Sequence, residues 1–172
     1  KKAKTPAAMV KLGVEKIAEI IKRRRNENEL PTYGFERELV DWEREHKFSF
    51  HPVQREAIRL ATAHKICIIT GGPGTGKTTI LKGILHLARK MGENILLAAP
   101  TGRAAKRMTE TTGYEAMTLH RMLEVNGDPT QEGGARFQRN EDQPLETDVV
   151  IVDEVSMVDI TLMYALLKAM TP

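Results

Sequence analysis

The strongest constraint on the fold is the stretch GGPGTGKTT at residues 71–79, which directly follows the apolar run KICIIT at 65–70. Its two glycines, lysine and threonine satisfy the phosphate-loop pattern G-x-x-x-x-G-K-[ST]. Small residues let successive backbone N–H groups curl around an anion, and the positive end of the next helix faces the same point. The sequence therefore predicts a strand over 65–70, a nucleotide-binding loop, and a helix over 78–92 that Gly92 ends.

Two side chains of this loop are expected to act directly on the nucleotide. Lys77 is predicted to reach the β- and γ-phosphates, and the Thr78 hydroxyl is predicted to bind Mg²⁺. The predicted nucleotide-binding residues of the loop are Gly72, Pro73, Gly74, Thr75, Gly76, Lys77, Thr78 and Thr79.

Strands and helices alternate after the loop, which favours an α/β fold with a parallel sheet covered by helices on both faces. Further strands are predicted at 94–99 and 148–153. The helices that accompany them are predicted at 103–110, around 118–124 and at 159–170. The polar, turn-rich stretch 125–147 breaks this alternation and is predicted to be a small excursion with a hairpin.

An acidic pair follows the apolar run VVIV, which is expected to be a buried strand. Ligand sites of open α/β sheets lie at the carboxyl ends of the strands. Asp153 is therefore predicted to hold Mg²⁺, and Glu154 to polarise an attacking water as a general base. The alternative is that the pair caps the helix at 159–170. Together, Lys77, Asp153 and Glu154 predict nucleoside triphosphate hydrolysis.

Two basic segments suit a nucleic-acid backbone. In AAPTGRAAKRM (98–108), a helix N-terminus carries the hydroxyl of Thr101 with Arg103 and Lys106. A capped surface helix with solvated charges explains this segment equally well. The second segment, TLHRML (118–123), places His120 and Arg121 on a short helix.

Bulk composition limits the class of protein only loosely. The 172 residues suffice for one ordinary domain with a short appendage, and the net charge of +3 is too small to predict nucleic-acid binding by itself. The single cysteine, Cys67, is expected to be buried in the strand before the loop, and it fits a reducing compartment. No stretch approaches a membrane span, and the scattered histidines lack zinc-ligand spacing.

Three helices are predicted upstream of the loop. An apolar stripe predicts one over about 7–26, where the run KRRR at 22–25 either complements the helix dipole or touches a phosphate backbone. A second, at 35–46, places Phe35, Leu39 and Trp42 on one side, as expected for core contacts. The third begins at Pro52, in the first-turn position that proline favours.

The segments TGGPGTGKTT, LLAAPTGRAAKRM, TLHRML and DVVIVDEVSMVD resemble the RecD-like DNA helicases of superfamily 1B, similar to the α-subunit of exodeoxyribonuclease V. The similarity runs from about Phe50 to Met170. It implies a RecA-like motor domain that uses ATP and Mg²⁺ to move 5′ to 3′ along single-stranded DNA and to open single/double-strand junctions. It also implies a bacterial cytoplasmic protein, monomeric, working on the nucleoid in DNA repair or recombination, with possible contacts to other repair proteins.

The resemblance also assigns roles to individual residues. Gln54 matches the glutamine that reads adenine, and residues 125–147 resemble a hairpin that separates the strands. The DNA-facing residues that it implies are Pro100, Thr101, Gly102, Arg103, Lys106, His120 and Arg121. Domains are predicted at 1–49, a helical linker, and at 50–172, the first motor domain.

The later helicase motifs, including the arginine that reaches the γ-phosphate from a second motor domain, are absent from the sequence. The missing motifs and a first residue other than methionine together predict a fragment. This fragment is expected to bind nucleotide but to hydrolyse it poorly, because the arginine from the second motor domain is missing. The resemblance further implies a strand between 65–70 and 148–153 that lies later in sequence. We therefore expect one of three outcomes: the two strands pair directly, a strand from another molecule fills the gap between them, or the missing strand is present but not resolved.

Overall fold

The computed structural model describes residues 34–126 and 136–170. The described residues divide into two compact units, 34–95 and 96–170. The predicted helix at 7–26, the basic run at 22–25 and the tip of the predicted hairpin lie outside the described residues.

The first unit contains three helices, namely α1 (Phe35–Glu45), α2 (Pro52–Ala63) and α3 (Lys77–Lys90). All three correspond to helices predicted from the sequence. Pro52 occupies the first turn of α2, and His51 caps it by accepting a hydrogen bond from the N–H of Val53 at 3.4 Å. Helix α3 is followed by Gly92 in the left-handed region, φ 78°, as expected for a helix-ending glycine.

Aromatic side chains from α1 and the following loop form a cluster in this unit, in which Trp42 and Phe50 are buried and Phe48 is 40% exposed. Trp42 stacks on Phe50 with ring centroids 5.1 Å apart, and the edge of Phe48 meets Phe50 at 5.2 Å. The predicted apolar side of α1 is confirmed, since the buried residues of that helix are Phe35, Leu39 and Trp42. Trp42 is therefore a core residue and not a platform for base stacking.

Helices α2 and α3 approach each other closely at Gly83. A Cβ atom built on Gly83 would lie 2.7 Å from Cδ1 of Ile58 and 3.0 Å from Cζ of Phe50. A Cβ at the shorter of these distances would displace the end of the Ile58 side chain, so the close approach favours glycine even though glycine is a poor helix former.

We expect Gly83→Val to lower the free energy of unfolding by about 1–3 kcal/mol, because its extra carbons must displace Ile58 or Phe50 from a packed core. Chemical denaturation followed by circular dichroism measures this change. Gly102→Ala is the matched control, because nothing lies within 4 Å of a Cβ at Gly102. Equal stability of the Gly83→Val variant and the unmodified protein would show that the helices separate at no cost.

The prediction of a strand over 65–70 is wrong. Residues 67–70 lie in neither a helix nor a strand, and Ile68 is 74% exposed. Cys67 is exposed as well, which also contradicts the prediction of a buried thiol. Partial desolvation still raises the pKa of the Cys67 thiol, so the thiol stays protonated at neutral pH. A strand needs a hydrogen-bonded neighbour, and no strand of the described residues pairs with 65–70.

The second unit is built on a three-stranded parallel sheet. Its strands are β1 (Ile95–Ala99), β2 (Ala116–Thr118) and β5 (Val149–Val152), in the order β2-β1-β5. The β1 and β5 strands correspond to predicted strands, whereas β2 is too short to be recognised by its pattern. The strand β5 is half-buried at the edge of this sheet, where full burial was predicted. It is joined to β1 and not to 65–70, so the first of the three expected outcomes, direct pairing of those two segments, is wrong.

Helices cover both faces of the sheet, as predicted. Successive residues of a strand point to opposite faces. Ala98 packs in a cluster with residues of α5 (Leu119–Met122) and α6 (Ile160–Ala169). Its neighbour Ala99 packs with Ala104 and Ala105 of α4 (Gly102–Thr112). Small side chains on β1 therefore allow helices to pack closely on either side.

The excursion predicted at 125–147 begins as a hairpin. Strands β3 (Val125–Asn126) and β4 (Arg136–Phe137) pair antiparallel. At the hairpin root, the guanidinium of Arg139 donates two hydrogen bonds to one carboxylate oxygen of Glu124, at 2.9 and 2.8 Å. The chain then returns to the core, where the N–H of Leu145 donates to the carbonyl of Ala169 at 2.7 Å.

Two elements complete the second unit. A 3₁₀ turn at Val155–Met157, which the sequence did not indicate, follows β5. Helix α6 is close to its predicted span and is capped by Asp159, whose carboxylate accepts from the N–H of Leu162 at 2.9 Å. Among residues 34–126 and 136–170, every helix is too short or too polar to cross a lipid bilayer.

Candidate nucleotide and nucleic-acid sites

The loop between residue 70 and α3 is wrapped around the ammonium group of Lys77. This group donates hydrogen bonds to the carbonyls of Gly71 and Gly72, the latter at 2.9 Å. The hydroxyl of Thr75 donates to the same Gly72 carbonyl at 2.9 Å. The positive charge is thus held inside the loop, where an arriving phosphate would compete with neutral carbonyl oxygens for it.

Two glycines of this loop take backbone conformations that other residues rarely adopt. Gly74 has φ 75°, and Gly76, which immediately precedes α3, has φ 83°. The position of Gly76 also favours glycine for a steric reason, because a Cβ there would lie 2.3 Å from Nε2 of Gln54. A Cβ built at Gly72 or Gly74 would meet nothing within 4 Å, so both positions border open space.

Gln54 is brought to the loop by the first turn of α2. Its Oε1 accepts from the N–H of His51 at 3.0 Å, completing a capping box. Its Nε2 donates to the carbonyl of Thr75 at 3.1 Å. The glutamine is therefore fixed at both ends of its amide, against the loop predicted to bind nucleotide.

These residues fit a nucleotide phosphate. The first backbone amides of an α-helix have no carbonyl partners in a preceding turn, and the positive end of the helix dipole lies at the same terminus. Here that terminus directly follows the glycine-rich loop. The ammonium of Lys77 adds a full charge, and Thr78 exposes its hydroxyl in the first turn. This set of donors, on a loop whose glycines leave open space, suits the triphosphate of a nucleotide.

The acidic pair lies at the carboxyl end of β5. The N–H of Asp153 donates to the carbonyl of Ala98 at 3.0 Å and extends the ladder with β1. One carboxylate oxygen of Asp153 accepts from the N–H of Glu154 at 2.9 Å, and both side chains are exposed. The alternative role as a helix cap is wrong, because Asp159 caps α6.

Glu154 has φ 52° and ψ 40°, in the left-handed region. This conformation costs a residue other than glycine about 1 kcal/mol or more, and such strain is concentrated at functional sites. The turn directs the chain away from the sheet immediately after the acidic pair, so both carboxylates remain at the strand end.

The predicted DNA-facing residues lie at the same edge of the sheet as the acidic pair. Residues 100–106 follow the carboxyl end of β1, residues 120–121 follow that of β2, and Asp153 follows that of β5. Carboxyl ends of parallel strands share one edge. The structure thus brings together, within the second unit, motifs that are far apart in sequence.

The basic helix α4 combines capping with exposed charge. Thr101 caps it: its hydroxyl oxygen accepts a hydrogen bond from the N–H of Ala104 at 3.2 Å. Arg103 is exposed, and Lys106 lies 4.0 Å from Glu110 with 80% of its side chain exposed. The exposed pair His120 and Arg121 lies on α5. Their positions are compatible with both readings of the sequence, solvated charge and phosphate contact.

Sequence reasoning missed an ion-pair cluster beneath Gln54. Arg55, the next residue of α2, pairs with Glu36 and Glu43 of α1. These residues are separated by 12 or more positions on different helices, so no local pattern could have indicated the cluster.

Comparison with known proteins gives the class of this chain. Residues 54–172 match the AAA domain family, and the chain belongs to that family. The match begins at Gln54 and includes both the phosphate loop and the acidic pair.

Several curated relatives are named as RecD proteins or as ATP-dependent DNA helicases. The ATP-dependent RecD2 DNA helicase of Deinococcus radiodurans is 41% identical over 119 residues, covering 69% of this chain and 16% of the relative. RecBCD enzyme subunit RecD of Mycolicibacterium smegmatis is 39% identical over 142 residues, covering 69% of the chain and 25% of the relative. The ATP-dependent DNA helicase dda of Enterobacteria phage T4 is 42% identical over 106 residues, covering 60% and 24% respectively.

These relatives confirm the resemblance to RecD-like helicases. The chain spans about a quarter or less of the length of each of them.

Proposed function

We propose that this chain is part of an ATP-dependent DNA helicase motor that moves 5′ to 3′ along single-stranded DNA, in repair or recombination. The observation that carries the proposal is the loop around Lys77, with Gln54 fixed against it at 3.1 Å from Thr75. A glycine loop that served only as a turn would need neither the two hydrogen bonds that Lys77 donates to its carbonyls nor the contact with Gln54.

Each residue of the proposed nucleotide site has a distinct task. Lys77 exchanges its carbonyl partners for phosphate oxygens, and Gln54 faces the adenine. The Thr78 hydroxyl and Asp153 are the groups that would hold Mg²⁺, which when bound would neutralise charge on the phosphates. The carboxylate of Glu154 accepts a proton from the attacking water. Few protein ligands are needed, because Mg²⁺ keeps several waters and binds phosphate oxygens.

The proposed DNA track is the sheet edge that carries α4 and α5. Exposed cations and first-turn amides at this edge match a phosphodiester backbone, and the chain has only 5% aromatic residues, which favours phosphate contacts over base stacking. The hairpin rooted at Glu124 and Arg139 is proposed to separate the strands at a junction. We further propose a monomer in the bacterial cytoplasm, with contacts to other repair proteins.

A stimulation assay tests the motor. In the full-length protein, single-stranded DNA should raise the turnover of ATP, and a duplex with a 5′ single-stranded tail should be unwound. If DNA changes neither nucleotide affinity nor turnover, the chain is instead a nucleotide-dependent switch that controls a partner, and the motor proposal fails.

We expect Arg103→Ala and Lys106→Ala each to weaken single-stranded DNA binding to a similar extent for every sequence. Each lost phosphate contact should reduce the slope of log K against log salt by about 0.7. Fluorescence anisotropy with oligonucleotides of different sequence, across a salt series, measures both effects. Arg44→Ala, which removes an exposed arginine from α1, is the charge-matched control. A loss confined to particular sequences would indicate base reading and would contradict the assignment.

A further inference from the structure

The carboxylate of Glu43 connects α1 to the start of α2. Its side chain is only 11% exposed, and one oxygen accepts from the N–H of Phe50 at 2.7 Å. The other oxygen pairs with Nη2 of Arg55. Nη1 of the same guanidinium donates to Glu36 at 2.9 Å, so one arginine of α2 is held by two carboxylates of α1.

The residue before this arginine is the one that contacts the phosphate loop. Gln54 donates to the Thr75 carbonyl and accepts from the N–H of His51. The first turn of α2 is therefore held by α1 through Arg55 and holds the loop through Gln54. The two sets of contacts are separated by a single peptide bond.

We infer that Glu43 and Arg55 are positioning residues that fix Gln54 against the nucleotide loop. The inference rests on the proposed nucleotide site and extends it to α1, a helix that precedes the matched AAA region. The pair is partly buried, since Arg55 is 26% and Glu43 11% exposed. Loss of the Glu43 charge leaves Arg55 with Glu36 alone, and loss of the Arg55 charge leaves the Glu43 carboxylate without a charged partner in a poorly hydrated place. Even a small displacement of Gln54 would weaken nucleotide binding, because its contacts depend on geometry.

A mutant cycle in the full-length protein tests this coupling. Glu43→Gln keeps the size of the side chain and an oxygen for the N–H of Phe50, but it removes the charge that holds Arg55. We expect it to weaken binding of a fluorescent ADP analogue about 3- to 30-fold. When Gln54 is already alanine, the same Glu43→Gln change should have no further effect, because the glutamine on which it acts is gone.

Glu56→Gln is the matched control. It removes a carboxylate from the same helix α2, in the exposed pair with Arg59 at 2.8 Å, and it should leave the affinity unchanged. Thermal unfolding of each variant shows whether it is folded at the assay temperature. If Glu43→Gln does not fold, Arg55→Lys replaces it, because lysine retains the charge but cannot hold two carboxylates with a planar fork. The cycle is then repeated with that variant.

The outcomes separate this inference from the proposed function. If the unmodified protein binds no nucleotide, the proposed function fails. If it binds nucleotide and the effects of Glu43→Gln and Gln54→Ala multiply, the ion pair supports only the fold and the inference fails. An affinity equal to that of the unmodified protein in Glu43→Gln would overturn it as well.

Discussion

Lys77→Ala is expected to weaken nucleotide binding about 30- to 1,000-fold, equivalent to about 2–4 kcal/mol. The ammonium group lies against the carbonyls of Gly71 and Gly72, at the centre of the loop, and it is the full positive charge that the loop offers to a triphosphate. Alanine leaves the amides and the helix dipole in place but removes that charge. Isothermal titration calorimetry with ADP and with ATP measures the change.

Lys82→Ala is the control for this prediction, because it removes an exposed lysine from the same helix α3. Its nucleotide affinity should match that of the unmodified protein. If Lys77→Ala also binds normally, the glycine-rich loop is a structural turn and the proposed nucleotide site is wrong.

Glu154→Gln is expected to reduce ATP hydrolysis in the full-length protein about 10²- to 10⁴-fold while leaving ATP affinity within a few fold. The amide has nearly the size of the carboxylate but cannot take a proton from water. The backbone of this residue is held in the left-handed region, which keeps its side chain at the end of β5. Phosphate release under saturating single-stranded DNA, together with ATP binding, distinguishes the two effects.

Glu146→Gln provides the comparison, since Glu146 is an exposed glutamate of the loop before β5. It should hydrolyse ATP at the normal rate. A normal rate in Glu154→Gln would mean that another group accepts the proton, and the role assigned to the acidic pair would have to be withdrawn.

Local patterns predicted the helices well because their causes are local. The apolar side of α1, the proline that opens α2 and the glycine after α3 are each specified within a few residues. The phosphate loop was equally recognisable, since its backbone conformations require glycine at particular positions, such as Gly76.

Features that depend on a distant partner were beyond local patterns. The apolar run at 65–70 has the composition of a strand, but a strand also requires a neighbour, and none of the described strands pairs with it. Likewise the pair between Glu43 and Arg55 depends on how two helices pack, which neither helix reveals alone. The short β2 strand is fixed by its register with β1, in which Leu97 lies opposite Ala116.

The two attachments of the hairpin root have a mechanical consequence. The root is held to itself by Arg139 on Glu124, and the chain beyond it is held to the end of α6 through Leu145 and Ala169. A force on the hairpin would therefore act first on these two attachments, the ion pair at its root and the hydrogen bond to the last turn of α6.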